Sequence, residues 1–217
     1  GLENPPVLPM LPDPRGWDYR NSVQFHLTGE GKVGYQRLGS HETFAIQECH
    51  LLEEGLDEVW PLLDLQPVPG LDRVGLRLGS GEDVLMTLES QDPNPPEMTL
   101  ELPVSVVHLN PIGPILMAGD DYVVMEVLER PFKVSAGSFF QVNLAQAGRM
   151  VEQVLLAANL TGQETVLDLY CGVGLFSTFL APRSARLVRV ESSPSACDDF
   201  AVNLNDFETV ELYQGRA

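Results

Sequence analysis

Apolar and polar positions repeat along this chain with two different periods, and the change falls near residues 130–145. From Trp17 the spacing alternates as in half-buried strands. Residues 19–27 and 32–37 flank Thr28-Gly29-Glu30-Gly31, whose glycines supply turn geometry, so the pattern predicts a hairpin. Gly39-Ser40 turns the chain again before a short strand at 43–46. Leu51, Leu52, Leu56, Val59, Trp60 and Leu63 recur at helical spacing and predict a helix over 51–65 that ends near Gln66-Pro67. Strands are predicted at 74–78, 84–89 and 100–109, with Gly79-Ser80-Gly81 as a turn and 91–96 as a proline-rich loop. Strands at 122–128 and 132–134 complete a mainly antiparallel β region.

Beyond this point strands and helices alternate. Asn143 is placed to cap a helix whose inner face is Leu144, Ala147, Met150, Val151, Val154, Leu155 and Ala158. The run 165–170 is continuously apolar, as in a strand buried on both faces. A glycine turn, a helix at 175–180, a strand at 187–191, a helix at 194–204 and a third strand at 209–213 follow. Such alternation predicts a parallel α/β sheet. The expected fold is therefore α/β plus mainly antiparallel β: an extended lead-in over 1–16, a mainly β central domain over 17–135, and the start of a Rossmann-like domain over 136–217, broken off after about three strands.

Composition narrows the classes. With 217 residues, 44% hydrophobic and 20% charged, the chain can bury real cores. No apolar run reaches the roughly 18–20 residues that span a bilayer, and the first residues lack a secretory signal, so a cytoplasmic location without membrane contact is expected. The three cysteines, Cys49, Cys171 and Cys197, have no CxxC spacing; they read as small buried hydrophobes, with no disulfide framework and no metal site. A net charge of −18 with only Lys32 and Lys133 as lysines weighs against a nucleic-acid partner, because phosphate binding draws on Lys and Arg.

The chemistry concentrates in Val166-Leu167-Asp168-Leu169-Tyr170-Cys171-Gly172-Val173-Gly174, a strand running into a glycine turn and then a helix. Glycines there allow a tight turn and a close ligand approach, and open α/β sheets bind ligands at such strand ends. Glu191 closes the next strand, where a carboxylate can accept hydrogen bonds from both ribose hydroxyls of a nucleoside. A dinucleotide would call for a third glycine where Ser177 stands. S-adenosylmethionine has no phosphate and carries an amino-acid end, so the shorter turn, with Asp168 available for a positive group, suits it better.

Ser138-Phe139-Phe140-Gln141-Val142-Asn143, followed by a helix and then by Leu167-Asp168-Leu169-Tyr170-Cys171-Gly172-Val173-Gly174, resembles the signature pair of RNA uridine-C5 methyltransferases acting on tRNA and rRNA. Tyr19-Arg20-Asn21, Gly39-Ser40-His41 and Cys49-His50-Leu51-Leu52 are similar to that family's central domain. The resemblance implies S-adenosylmethionine as cofactor, with Gln141 beside its methionine end, Tyr170 lining the pocket, Glu191 on the ribose, and Gly172 and Gly174 leaving room. Leu175 departs from a polar residue that some members place there. Phe139 and Phe140 also fit a role as core aromatics.

In that family a cysteine adds to C6 of uracil so that C5 can attack the methyl group, and a carboxylate base then removes the C5 proton. The resemblance implies that both residues, with a Pro-Pro-Arg loop, an RNA-binding barrel and iron–sulfur cysteines, lie outside these 217 residues. No catalytic residue is therefore assigned, and Cys171 is expected to pack. Arg20, Arg37 and His41 are the candidate RNA-facing residues. Self-association through the exposed sheet, or disorder towards residue 217, is expected of a sheet cut after three strands. A nicotinamide-dependent oxidoreductase and a non-catalytic interaction module are the alternative functions.

Overall fold

The computed structural model describes residues 7–216, except positions 64, 66, 69, 100, 208 and 209. Residues 7–12 form no regular structure, as five prolines within the first 16 residues dictate; residues 1–6 lie outside the described range.

The first region is a seven-stranded sheet. Its strands are β1 (Ser22–Leu27), β2 (Val33–Gln36), β3 (Thr43–Ala45), β4 (Leu71–Leu78), β5 (Val84–Ser90), β6 (Val104–Asn110) and β7 (Gly113–Ala118), in the order β3-β2-β1-β4-β5-β6-β7. The predicted hairpin forms with His26 opposite Gly34. Most neighbours are antiparallel, but β5 and β6 run parallel, with Val84 opposite Val104. The long proline-rich connection between them provides the crossover that a parallel pair needs.

Three elements differ from the sequence reading. The helix predicted over 51–65 is only α1 (Glu54–Val59) with a short 3₁₀ turn at Trp60–Leu62. The backbone before it is already engaged: Leu51 O accepts from Tyr19 and Arg20 N–H, and Leu52 bridges Arg20. Pro61 then stands at the second position of the 3₁₀ turn; Gln66, the expected helix end, lies outside the described residues. The strand predicted from residue 100 begins at Val104, just after Pro103, while Leu100 itself is outside the described range. β7 was not predicted at all. Pro114 masks its pattern, and an edge position tolerates that proline.

One face of this sheet closes over α1 and the 3₁₀ turn, where Phe25, Leu56, Val74, Met86 and Leu88 are fully buried. Side chains alternate across β5, so Leu85 points the other way, into a second core. That core contains Met125, Phe132 and Val134 of a separate hairpin, β8 (Tyr122–Val127) and β9 (Arg130–Ser135). The hairpin does not extend the large sheet. It packs instead with Ala147 and Val151 of α2 (Leu144–Ala158) and Ala196 of α4 (Pro194–Asn203).

α2 starts as predicted, with the Asn143 side-chain oxygen accepting from Gln146 N–H at 2.9 Å. Its buried face is narrower than expected: Ala147, Gly148 and Val151 are covered, while Met150 and Val154 stay 37% and 36% exposed. A parallel sheet follows: β10 (Thr165–Leu169), β11 (Arg186–Glu191) and β12 (Val210–Gln214), with α3 (Leu175–Leu180) between the first two. Thr209, the expected start of the third strand, is outside the described residues. β10 is not buried on both faces. Leu167 is 59% exposed and Leu169 46%, because no helix among the described residues lies over that side.

Candidate functional site at the glycine turn

The turn after β10 is built from backbone that only certain residues tolerate. Tyr170 holds a left-handed conformation (φ 61°) while its N–H donates to Val190 O at 2.9 Å. Gly172 (φ 56°) and Gly174 (φ 96°) also sit in the left-handed region, and Gly174 caps α3. The two glycines serve different ends. A Cβ on Gly172 would meet nothing within 4 Å, so that surface is open to a ligand. A Cβ on Gly174 would fall 2.5 Å from Leu204 Cδ1 and 2.9 Å from Phe200 Cε2. Gly174 therefore lets α4 pack against the turn, rather than making the room expected of it.

Glu191 ends β11 beside the same turn. Its Oε2 accepts from Gly172 N–H at 2.9 Å, and its Oε1 accepts from Ser192 and Ser193 N–H at 2.7 and 2.8 Å. Burial pushes this carboxyl upward, but the hydrogen bonds from Ser193, Gly172 and Ser192 outweigh it and hold it below the usual carboxylate range. Glu191 is thus an anion at neutral pH that braces the two strand-end turns. Oε2, with one protein donor, retains capacity for another.

Asp168 points elsewhere: its Oδ2 accepts from Ser177 Oγ at 2.6 Å. Burial raises its pKa, against the pull of that hydrogen bond and of the Arg189 charge. Cys171 is 7% exposed, and burial pushes its thiol up to about 12, so no thiolate forms near neutrality. Cys197 is buried as expected, and Cys49 is half-buried with Sγ 3.7 Å from Tyr35 Oη.

The Ser138–Asn143 motif forms the facing wall. A cavity of about 90 Å³ lies between Phe139, Phe140 and Gln141 on one side and Tyr170, Gly172 and Leu175 on the other. Ligand sites ordinarily measure roughly 300–1,000 Å³, so this half-open cavity fits one end of a ligand, and the remainder would rest on the open turn. Phe140 is a core aromatic at 6% exposure, whereas Phe139 is 71% exposed and Tyr170 73%. The structure thus brings Gln141, Tyr170 and Gly172 to one cavity, with Glu191 tied to its rim through Gly172. Asp168 and Gly174 do not line it.

A second cavity, about 510 Å³, opens on the other side of the motif, and Phe139 and Phe140 line both. Arg20, Gln24, Tyr35, Arg77 and Glu89 form its large-sheet wall. Arg20 Nε is buried there without a hydrogen-bond partner among the described residues. The other two expected RNA-facing residues are not gathered with it. Arg37 pairs with Glu42 at 3.3 Å and lies over Phe44, and His41 is exposed in the β2–β3 turn.

Sequence reasoning missed the residues that hold the motif. Asn21 Nδ2 donates to Gln141 O at 3.2 Å, and Arg77 donates to Ser135 O and Ser138 O at 3.0 and 2.8 Å. Asp199 and Asn203 grip the same region from α4. Their signal was polar residues on a stripe otherwise made of Ala196, Phe200 and Leu204.

Residues 110–214 match the family model described as tRNA (Uracil-5-)-methyltransferase. Over this stretch the chain is similar to that family. Curated relatives agree across a wider span. An uncharacterized RNA methyltransferase of Thermosynechococcus vestitus is 31% identical over 88% of this chain and 50% of its own length. Another, from Oceanobacillus iheyensis, is 27% identical over 100% of this chain and 55% of its own. The chain spans about half the length of the curated relatives it matches. Among solved structures, Pyrococcus abyssi tRNA (uracil-54, C5)-methyltransferase in complex with S-adenosyl-L-homocysteine superimposes with a TM-score of 0.67 at 20% identity. The alignment covers 93% of this chain and 56% of that one, and shows that the two share a fold. The nicotinamide and interaction-module readings gain no support from these matches.

Proposed function

We propose that this chain is the cofactor-binding part of an S-adenosylmethionine-dependent RNA methyltransferase that methylates C5 of uridine in tRNA or rRNA. The observation that carries this reading is the cavity between the Ser138–Asn143 motif and the glycine turn, inside the stretch that matches the family. The residues fit the cofactor. The space beyond Gly172 is empty to 4 Å, and Glu191 is an anion with an acceptor position left. When bound, S-adenosylmethionine supplies an electrophilic methyl group on sulfur.

In this reading Gln141 sits at the cofactor's methionine end, Tyr170 lines the pocket and Glu191 holds the ribose. Asp168 lies outside the cavity, and we assign its oxygen not bonded to Ser177 to the cofactor's ammonium group only where the ligand extends beyond that cavity over the turn. Gly172 leaves the room, and Gly174 fixes the turn against α4. No covalent step falls to Cys171, which is buried and protonated. Arg20 in the larger cavity is the residue we assign to RNA; the charge of −18 leaves few others. We place the protein in the cytoplasm with its RNA, with residues 17–135 as the RNA-side unit and 136–217 as the cofactor unit. The exposed Leu167 and Leu169 face gives these 217 residues a route to self-association; a compact monomer by light scattering would contradict that.

The activity is tested with the full-length protein, tRNA and rRNA transcripts, and methyl-labelled S-adenosylmethionine. Label recovered as 5-methyluridine supports the assignment. Label on another base, or on another atom of uridine, contradicts it.

A further inference from the structure

Phe139, Phe140 and Gln141 sit on a short segment between β9 and α2, and everything assigned to the site depends on where that segment lies. It joins no strand among the described residues, so its position is set by neighbouring groups, Asn21 N–H on Val142 O at 2.9 Å among them. Asp199, fully buried on α4, is the densest of these anchors. Its Oδ2 accepts from Ser135 N–H at 2.8 Å and from Ser138 Oγ at 2.6 Å, while Oδ1 accepts from Ser135 Oγ at 2.5 Å. Lys133 Nζ stands 3.8 Å from Oδ1.

Ser138 has one hydroxyl proton, and Asp199 takes it. The 2.8 Å contact between Ser138 and Ser195 is therefore a donation from Ser195, on the first turn of α4. From the large sheet, Arg77 donates to the carbonyls of the same two residues, Ser135 and Ser138. Arg77 is itself buried enough that its pKa falls to about 10, against the opposing pull of the Asp199 charge. Cation and carboxylate thus clamp the base of the segment from opposite sides, and the shared wall of the two cavities projects from that clamp.

We propose that Asp199 is a positioning residue: through Ser135 and Ser138 it fixes the 137–141 segment so that Phe139 and Gln141 face the glycine turn. A carboxylate buried on a helix face is costly unless its bonds are needed. Here all three hydrogen bonds are spent on two serines, Ser135 at the end of β9 and Ser138 in the segment that follows it. Asp199 acts on the cofactor only through that segment, so the proposal rests on the cofactor reading for its consequence and not for its geometry.

The test combines two readouts on this chain and its Asp199→Asn, Ser138→Ala and doubly substituted forms. Amide hydrogen exchange is measured first without ligand. Exchange over 137–141 is expected to speed at least about tenfold in each variant, while β4 and β5 stay as protected as before. Exchange unchanged over 137–141, or raised equally throughout, would overturn the proposal. Titration with S-adenosylhomocysteine follows. Each single substitution is expected to weaken binding about tenfold, and the double substitution by clearly less than the product of the two, because the two groups share one bond. Additive losses would overturn the proposal. No binding by the unsubstituted chain would count against the cofactor reading, while the exchange data would still decide the role of Asp199.

Discussion

The seven-stranded sheet and the three-stranded sheet meet their hydrophobic patterns in opposite ways. In the first, alternating residues on β1, β4 and β5 find a covered face, so that Phe25, Val74 and Met86 are completely buried. In the second, β10 has an equally apolar sequence, yet Leu167 and Leu169 remain about half exposed beside the proposed cofactor turn. An apolar run records what a strand is suited to pack against. It does not ensure that the partner layer is present in the same stretch of chain.

The largest effect that sharpens this contrast is Phe25→Ala. Truncating a fully buried ring should cost about 3–5 kcal/mol in urea unfolding. A loss of less than about 1 kcal/mol would break the picture of a closed first core. Next come the two glycines of one turn. Gly174→Ala forces a Cβ into Leu204 and Phe200 and is expected to destabilise by about 1–3 kcal/mol. Gly172→Ala has open space, so only its left-handed backbone should register in stability, roughly 1–2 kcal/mol. Its main effect should appear in binding of S-adenosylhomocysteine. Equal behaviour of the two variants in both assays would contradict their assigned roles.

A smaller effect concerns pH. The folded pKa of Glu191 lies below its ordinary value of 4.5, and that of Glu164 falls to about 2 through hydrogen bonds from Thr161. A depressed folded pKa contributes stability that is present above the unfolded value and lost as pH falls through the folded one. Melting temperature should therefore hold above about pH 5 and drop towards acid, less steeply in Glu191→Gln. An identical slope in that variant would show that the brace contributes nothing. Smallest of all, Leu167→Ala should shift unfolding by less than about 0.5 kcal/mol. A core-sized loss there would mean that β10 is covered in solution.

Much of this was legible beforehand because the signals were local. Asn143 capping α2, the Gly-Glu-Gly turn between β1 and β2, and the strand–glycine–helix run each depend on a few consecutive residues. What escaped depends on distant partners. Nothing local warns that residues 51–52 pair with Arg20 instead of entering a helix. The β8–β9 hairpin has the alternation of any other hairpin, and only the helices packed on it separate it from the large sheet. At the site, the types of Gln141, Tyr170 and Glu191 could be read, but the division of labour between Gly172 and Gly174 needed the position of α4. The same holds for Asp168, whose bond to Ser177 spans the turn.

The central claim is that the Ser138–Asn143 motif and the glycine turn together form an S-adenosylmethionine site. Its most direct test is calorimetric titration of S-adenosylhomocysteine into this chain and into Gln141→Ala and Glu191→Ala. A saturable one-to-one isotherm, weakened at least about tenfold by each substitution, is the expected result. An absence of binding, or binding that neither substitution disturbs, would contradict the account.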